Sequence, residues 1–177
     1  RPEPDIRIWL DLVALGTVCD VVPLTGINRA LVIQGLKVMC RRLNPGIAAL
    51  ADSGKVQEPL NSFHLGFIVG PRVNAGGRVG QADLGVRLLG TDDIGEAKKL
   101  AAELEHYNTE RRKIESEVLA AAICSIESDG RQKDEMIVVA GMDWHPGVIG
   151  IVASRLVERY GRPTFVLAIT GEIAKGS

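Results

Sequence analysis

The sequence is short of cysteine, carries no surplus of either charge and contains no long apolar run. Its three cysteines, Cys19, Cys40 and Cys124, are odd in number and too widely spaced for the paired thiolates of a zinc site or for a disulfide framework. They read as reduced and mostly buried. Lys and Arg total 21 against 22 Asp and Glu, so composition alone announces no nucleic-acid partner, and any anion-binding surface must be local. No stretch approaches the roughly 18 to 20 apolar residues of a spanning helix, and the N-terminus has neither a basic leader nor a cleavable apolar segment. The expectation is a soluble chain of cytoplasmic type with no membrane partner. What the chain does have is length, 177 residues with 46% apolar side chains, enough to bury one full core or two small ones. Arg1 is not an initiator Met, and Lys175-Gly176-Ser177 follows directly on an apparent strand, so both ends read as cuts through a longer polypeptide.

Periodicity supplies the elements. Trp9 to Val22 is apolar and rich in small residues, which predicts a short helix and then a buried strand end or tight loop at Gly16 to Asp20. Asn28 is the expected N-cap of a helix running to about Leu43, and Ile47 to Ala51 reads as another short helix. A helix over Ser62 to Val69 is expected to give way to irregular backbone at Gly70-Pro71-Arg72 and at the Gly76-Gly77 pair. Thr91-Asp92-Asp93 is a helix-start signal for Ile94 to about Glu127, which has no Pro and, after Gly95, no Gly. A helix of that length, broken once near Asn108 at most, suits a strut between domains. Met136 to Ala140 and Thr164 to Ile169 read as buried strands flanking a helix over Val148 to Tyr160, a parallel βαβ unit.

Four constellations could carry chemistry. Asp20 follows the glycine-containing apolar segment Leu15 to Cys19 and could give a hard oxygen ligand to Mg²⁺ or Mn²⁺, although a single Asp beside a Pro turn is more often a turn or cap residue. In Gly70 to Gly80, Arg72 and Arg78 flank Asn74 and a glycine pair, so that backbone N–H groups and guanidinium forks could converge on phosphate oxygens. The other reading is a plain surface loop. No Lys-Ser/Thr follows the glycines, which excludes a Walker loop. His145 sits just ahead of a helix start, where exposed N–H groups favour an anion, and Arg155 lies on the same helix; a tightly packed, capped helix start would read the same way. His106, Asn108, Arg111, Arg112 and Lys113 could line a groove for a nucleic-acid backbone or form a solvated helix face.

The first three segments, in this order around a long helix, resemble the RecJ-type single-strand-specific DNA exonucleases of the DHH phosphoesterase superfamily. Leu12 to Leu24 looks like that family's fourth core motif, Gly70 to Gly80 like its Gly-Pro-Arg loop, and Trp144 to Arg155 like the entry to its DHHA1 domain. The resemblance implies an α/β fold: the C-terminal, mostly helical part of a DHH domain over 1–90, an inter-domain helix over 91–128, and the βαβ start of a DHHA1 domain over 129–177. It implies a 5′→3′ exonuclease of DNA repair and recombination, with single-stranded DNA threading the cleft between domains and a two-metal Mn²⁺ or Mg²⁺ site. A helicase or single-strand-binding protein would be an expected partner.

Carried over by position, Asp20 matches a metal carboxylate. Arg78, Arg72 and Asn74 match the loop facing substrate phosphate, Arg78 with a catalytic part. His145 and Arg155 match the DHHA1 side of the cleft, and Lys175 to Ser177 the start of a phosphate-binding segment that includes Ser177. The sequence also departs from the family. It contains no Asp-His-His triplet and none of the earlier carboxylate motifs, so the chain by itself is expected to be catalytically silent, and Cys19 stands where the family usually has a small residue such as Ala. Two other readings remain: a DHH-type phosphodiesterase of short oligonucleotides or cyclic dinucleotides, and a non-catalytic DNA-binding scaffold.

Overall fold

The computed structural model describes residues 5–177, so what was expected at Arg1 to Pro4 lies outside the described residues. The chain divides into two compact units, one ending at Asn108 and the other Thr109–Ser177.

The first unit is helical. Helix α1 (Leu10–Cys19) and helix α2 (Gly26–Met39) cross closely at Gly35, where an added Cβ would stand 2.1 Å from the Leu10 carbonyl oxygen and 2.5 Å from Ala14 Cβ. Only a residue without a side chain lets the backbones approach so far. Helix α1 runs unbroken through Gly16, where a strand end or loop was expected. Ala14 and Leu15 are buried on one side of it, and that packing outweighs the intrinsic cost of a mid-helix glycine. Helix α2 starts at Gly26 rather than at Asn28; Asn28 lies inside it and donates to the Pro23 carbonyl at 3.2 Å.

Helix α3 (Pro45–Ser53) begins two residues before the expected Ile47, with Pro in the first turn and Asn44 Oδ1 accepting from Ile47 N at 3.0 Å. The Asn44 amide also donates to Leu89 O at 3.1 Å, tying this start to the end of α6 (Leu84–Gly90). Residues 62–79 form one continuous helical run: α4 (Ser62–His64), a π-helical turn (Leu65–Val69) and α5 (Gly70–Val79). The expected irregular loop at 70–80 is therefore a helix. Pro71 has no N–H to offer the Phe67 carbonyl, and the wider turn, in which Gly70 N bonds to Leu65 O, lies directly before it. Helix α6 completes this group. Leu50, Leu65, Val69, Leu88 and Leu104 are fully buried at its centre.

Helix α7 (Ile94–Ser128) has 35 residues, about 52 Å at 1.5 Å per residue, and is unbroken at Asn108. Its start matches the cap signal: Asp93 Oδ1 accepts from Glu96 N at 2.6 Å, and Thr91 Oγ1 donates to Glu96 Oε2 at 2.5 Å. It gives Ala97, Leu100, Ala101 and Leu104 to the first unit and buries Val118, Ala122 and Ile126 in the second.

In the second unit, β1 (Ile137–Met142) pairs in parallel with β2 (Thr164–Thr170) from Ile137↔Thr164 to Met142↔Ile169, joined by helix α8 (Ile149–Tyr160). Ile137, Val139, Val166 and Ala168 turn to the buried face, with Ile149, Val152 and Leu156 of α8 buried as well. A third strand, β3 (Ile173–Gly176), was not expected; it folds back antiparallel on β2 through a two-residue turn with Gly171 at φ +57°. Ser177 extends the ladder, exchanging both backbone hydrogen bonds with Val166 at 3.0 and 3.1 Å.

Candidate functional site

Asp20 immediately follows the last residue of α1, and its N–H closes the helix on Gly16 O at 3.0 Å. The chain then turns sharply: Val21 adopts φ +56° while Val21 N and Val22 N return to Val18 O and Thr17 O, both at 3.1 Å. A β-branched residue in the left-handed region is an outlier costing about 1–3 kcal/mol, and nothing in the sequence flags it. The close seat of α1 on α5 fixes where Asp20 comes to rest. An added Cβ at Gly70 would lie 2.5 Å from Cys19 Sγ, so only glycine lets the two helices meet there.

The carboxylate of Asp20 is exposed, on the rim of a groove of about 470 Å³ between α1, α5 and α6. Leu12, Leu15, Val73, Val86 and Leu89 give the groove an apolar lining, and Asn74 is its other strongly polar group. Burial, and secondarily the Asp20 charge, push the neighbouring Cys19 thiol up to about 11, so it is neutral and donates to Leu65 O at 3.8 Å. Among the described residues Asp20 is thus the sole charged group lining the groove. It sits at the negative end of a helix dipole, which favours a cation beside it.

Asn74 and Arg78 are both exposed and stand one turn apart on α5, so they share a face. Arg72 points elsewhere. Its side chain is 12% exposed, its Nε pairs with the Glu105 carboxylate of α7, and its Nη1 donates to Ile68 O at 2.7 Å. Of the three motif residues on α5, the structure brings Asn74 to the Asp20 groove, sets Arg78 one turn further on, and turns Arg72 toward α7.

In the second unit, His145 is half-buried. Its Nδ1 accepts from Gly147 N at 3.1 Å, which leaves the neutral ring's proton on Nε2, available as a donor. Its carbonyl accepts from Val148 N at 3.1 Å, at the start of α8, where no side chain caps the helix. Trp144 lies over Gly141 so closely that an added Cβ would meet its ring at 2.0 Å. Ser177 reaches the same first turn of α8 from the sheet: its Oγ would be 2.9 Å from a Cβ at Gly150. His145 and Ser177 are thereby brought to one helix N-terminus. Arg155 lies about 9 Å further along α8, where it faces Glu115 at 3.5 Å and Glu158 at 3.7 Å.

The basic cluster of α7 is split by the fold. Asn108 is 1% exposed and Arg111 9%, with Arg111 Nη1 on Glu115 Oε2 at 2.6 Å, whereas His106, Arg112 and Lys113 are exposed. Cys40 and Cys124, expected to be buried, are exposed. Sequence reasoning missed Glu105 and Glu115, the partners of Arg72 and Arg155, because nothing local marks a carboxylate that acts over tens of residues.

The resemblance implies divalent metals. Among the described residues no group of three or more His, Cys, Asp or Glu is placed to hold a metal ion. One carboxylate supplies one or two oxygens where a divalent ion takes about six. The described residues alone therefore do not fit a two-metal centre. Among them, too, no helix is long and apolar enough to cross a membrane.

No family model matches the chain. It is 43% identical over 181 aligned positions to the single-stranded-DNA-specific exonuclease RecJ of Dickeya dadantii, covering 99% of the chain and 31% of that protein. It is 45% identical to RecJ of Bacillus subtilis, covering 95% and 22%. The crystal structure of RecJ in complex with Mg²⁺ from Thermus thermophilus superposes with a TM-score of 0.83 at 38% identity, over 93% of this chain and 26% of that one. An exonuclease RecJ bound to manganese gives a TM-score of 0.81 at 35% identity, over 94% and 41%. The chain spans about a third or less of the curated relatives it matches. Along nearly its whole length, in sequence and in fold, the chain is similar to one part of these RecJ proteins.

Proposed function

We propose that the chain is part of a metal-dependent 5′→3′ single-stranded-DNA exonuclease of DNA repair and recombination, which hydrolyses terminal phosphodiesters. The single observation that carries this reading is the meeting of Asp20 and Asn74 on one groove with Arg78 a turn beyond, within a chain that matches RecJ proteins nearly end to end. In this reading residues 1–90 belong to a DHH domain, 91–128 to a connecting helix and 129–177 to a DHHA1 domain. Asp20 is the one carboxylate this chain contributes toward Mn²⁺ or Mg²⁺, and by itself the chain binds DNA without cleaving it.

Arg78 and Asn74 take the phosphate backbone. A guanidinium gives forked, charge-assisted hydrogen bonds, and the neighbouring amide gives a neutral donor. His145 Nε2, the Ser177 hydroxyl and the uncapped N–H groups of α8 form a second set of donors for an anion. Arg155 and Arg72 support these sites from their ion pairs with Glu115 and Glu105.

The test is fluorescence anisotropy with a labelled single-stranded oligonucleotide. Losing one charge-assisted hydrogen bond costs about 1.5–3 kcal/mol, so Arg78→Ala is expected to weaken binding about ten- to a hundredfold. In a full-length parent, Asp20→Ala is expected to abolish cleavage and spare DNA binding. Wild-type affinity in the first variant together with wild-type turnover in the second would overturn the assignment.

A further inference from the structure

A second cavity of the first unit, of about 260 Å³, shares no lining residue with the Asp20 groove. Its walls come from α2, α3 and residues 56–60, and Asp11 of α1 forms part of its lining. Asp11 is 4% exposed, yet its carboxylate accepts from another residue only once, from Leu12 N at 2.7 Å, and among the described residues no Lys, Arg or His is in ion-pair range of it. An ionised carboxylate taken out of water without a partner is costly, and burial pushes its pKa upward.

The other polar lining groups do not resolve this. Arg42, the one basic residue of the lining among the described residues, is committed to Asp52 at 2.7 Å and to Ala48 O at 3.2 Å. Asn44 spends its oxygen on Ile47 N and its amide on Leu89 O. Glu58 adds a second carboxylate, exposed and 3.7 Å from His64 Nε2. The charge that this cavity lacks is positive. No metal-binding group of three His, Cys, Asp or Glu exists among the described residues, and most of the remaining wall is aliphatic. A volume of 260 Å³ exceeds the roughly 150 Å³ that admits benzene and is below the roughly 300–1,000 Å³ of drug-sized sites. The matching occupant is one side-chain-sized group with a cationic head and an apolar stem.

We propose that this cavity binds a compact organic cation, an alkylguanidinium or alkylammonium, whose head pairs with the Asp11 carboxylate and whose stem packs on the aliphatic wall. Such a group reaches the cavity either as a free small molecule or as the Arg or Lys side chain of a polypeptide. The assignment is independent of the Asp20 site.

The experiment is an NMR titration of the 177-residue chain with butylguanidinium, with butan-1-ol as neutral control and a blocked Gly-Gly-Arg-Gly-Gly peptide as the second arm, read at the Leu12 amide. Saturable binding of the cation, at least about tenfold tighter than the alcohol and lost at least about tenfold in Asp11→Asn, is the expected result. Glu58→Gln, a change at an exposed rim carboxylate that stands 3.7 Å from His64 Nε2, is expected to weaken binding less and keeps the test open should Asp11→Asn not fold. Binding of the peptide as well assigns the site to a side chain, and binding of butylguanidinium alone assigns it to a free ligand. No saturation by either cation, equal affinity for the alcohol, or wild-type affinity in both variants overturns the proposal.

Discussion

Arg72 offers the sharpest test of how the α5 motif is built, because its chemistry suits phosphate and its position suits the fold. Its guanidinium pairs with Glu105 of α7 through Nε and donates through Nη1 to Ile68 O at 2.7 Å, with the two side chains 12% and 35% exposed. Exposed ion pairs contribute about 0.2–1 kcal/mol, whereas removing one partner of a fully buried pair costs about 3–5 kcal/mol. With Arg72 buried and Glu105 about one-third exposed, the cost of Glu105→Gln is expected between these limits, about 1–2 kcal/mol. Arg72→Met keeps the aliphatic stem and is expected to cost a similar amount. Once one partner is gone, losing the second removes an uncompensated charge. The double variant should therefore fall short of the sum of the single variants by about 1 kcal/mol. Urea unfolding of the four proteins gives the cycle, and repetition in about 1 M NaCl should preserve most of the coupling, since a partly buried pair is weakly screened. A coupling below about 0.3 kcal/mol, with Arg72→Met losing DNA affinity at unchanged stability, would refute this account of Arg72 and make it a direct phosphate ligand.

Two glycines of the first unit should respond oppositely to the same change. Gly35→Ala drives a Cβ to 2.1 Å from a backbone oxygen and should destabilise by about 3 kcal/mol or prevent folding, whereas Gly16→Ala meets nothing within 4 Å in a helix and should stabilise by about 0.5–1 kcal/mol in urea unfolding. Because burial raises the Asp11 pKa, the unfolded chain releases this proton first as pH rises from about 3.8, so the folded state loses stability across that window and stays lower above it. Asp11→Asn should therefore gain on wild type as unfolding is measured from about pH 3.5 to about pH 7; a gap that moves the other way would reverse the sign. With its thiol near 11, Cys19 should be alkylated by iodoacetamide at about pH 8 far more slowly than exposed Cys40 and Cys124, as peptide mass mapping over time would show.

Much of this fold was legible wherever local chemistry decides the outcome. Thr91 to Asp93 announced the start of α7, and apolar runs bounded by turn residues located β1 and β2, because caps and short buried runs act within a few residues. Helix α5 was not legible. Gly70, Pro71, Gly76 and Gly77 read locally as a loop. Yet Gly70 is required where Cys19 Sγ closes in at 2.5 Å, and Gly76 where Gln81 O stands 2.5 Å from its absent Cβ. Just beyond the helix, the Tyr107 ring would meet a Cβ at Gly80 at 2.6 Å. Those are tertiary reasons for glycine, and they are compatible with a helix. Strand β3 was missed because its four residues, Ile173–Gly176, are too few to show a period. The motif segments were recognisable, but the side to which each side chain turns was not, since the carboxylates that claim Arg72 and Arg155 lie 33 and 40 positions away.

That division within the motifs is informative about function. Arg72 and Arg155 are held by carboxylates of α7, so the fold itself accounts for them. Asp20 is different: an exposed carboxylate at the unfavourable end of a helix dipole, followed by a valine at φ +56° that is 84% exposed. A strained turn of about 1–3 kcal/mol and a charge opposed by its own helix are costs without an evident return inside the unit. Gly16 adds a third such cost, since a methyl group there would meet nothing within 4 Å and would favour the helix. All three lie on or beside one groove, opposite Asn74. Features that weaken a fold and converge on one surface are expected where that surface must receive something, and in the proposed reading the Asp20 carboxylate and the Asn74 amide take a cation or a cation-bridged phosphate at the rim of an otherwise apolar groove.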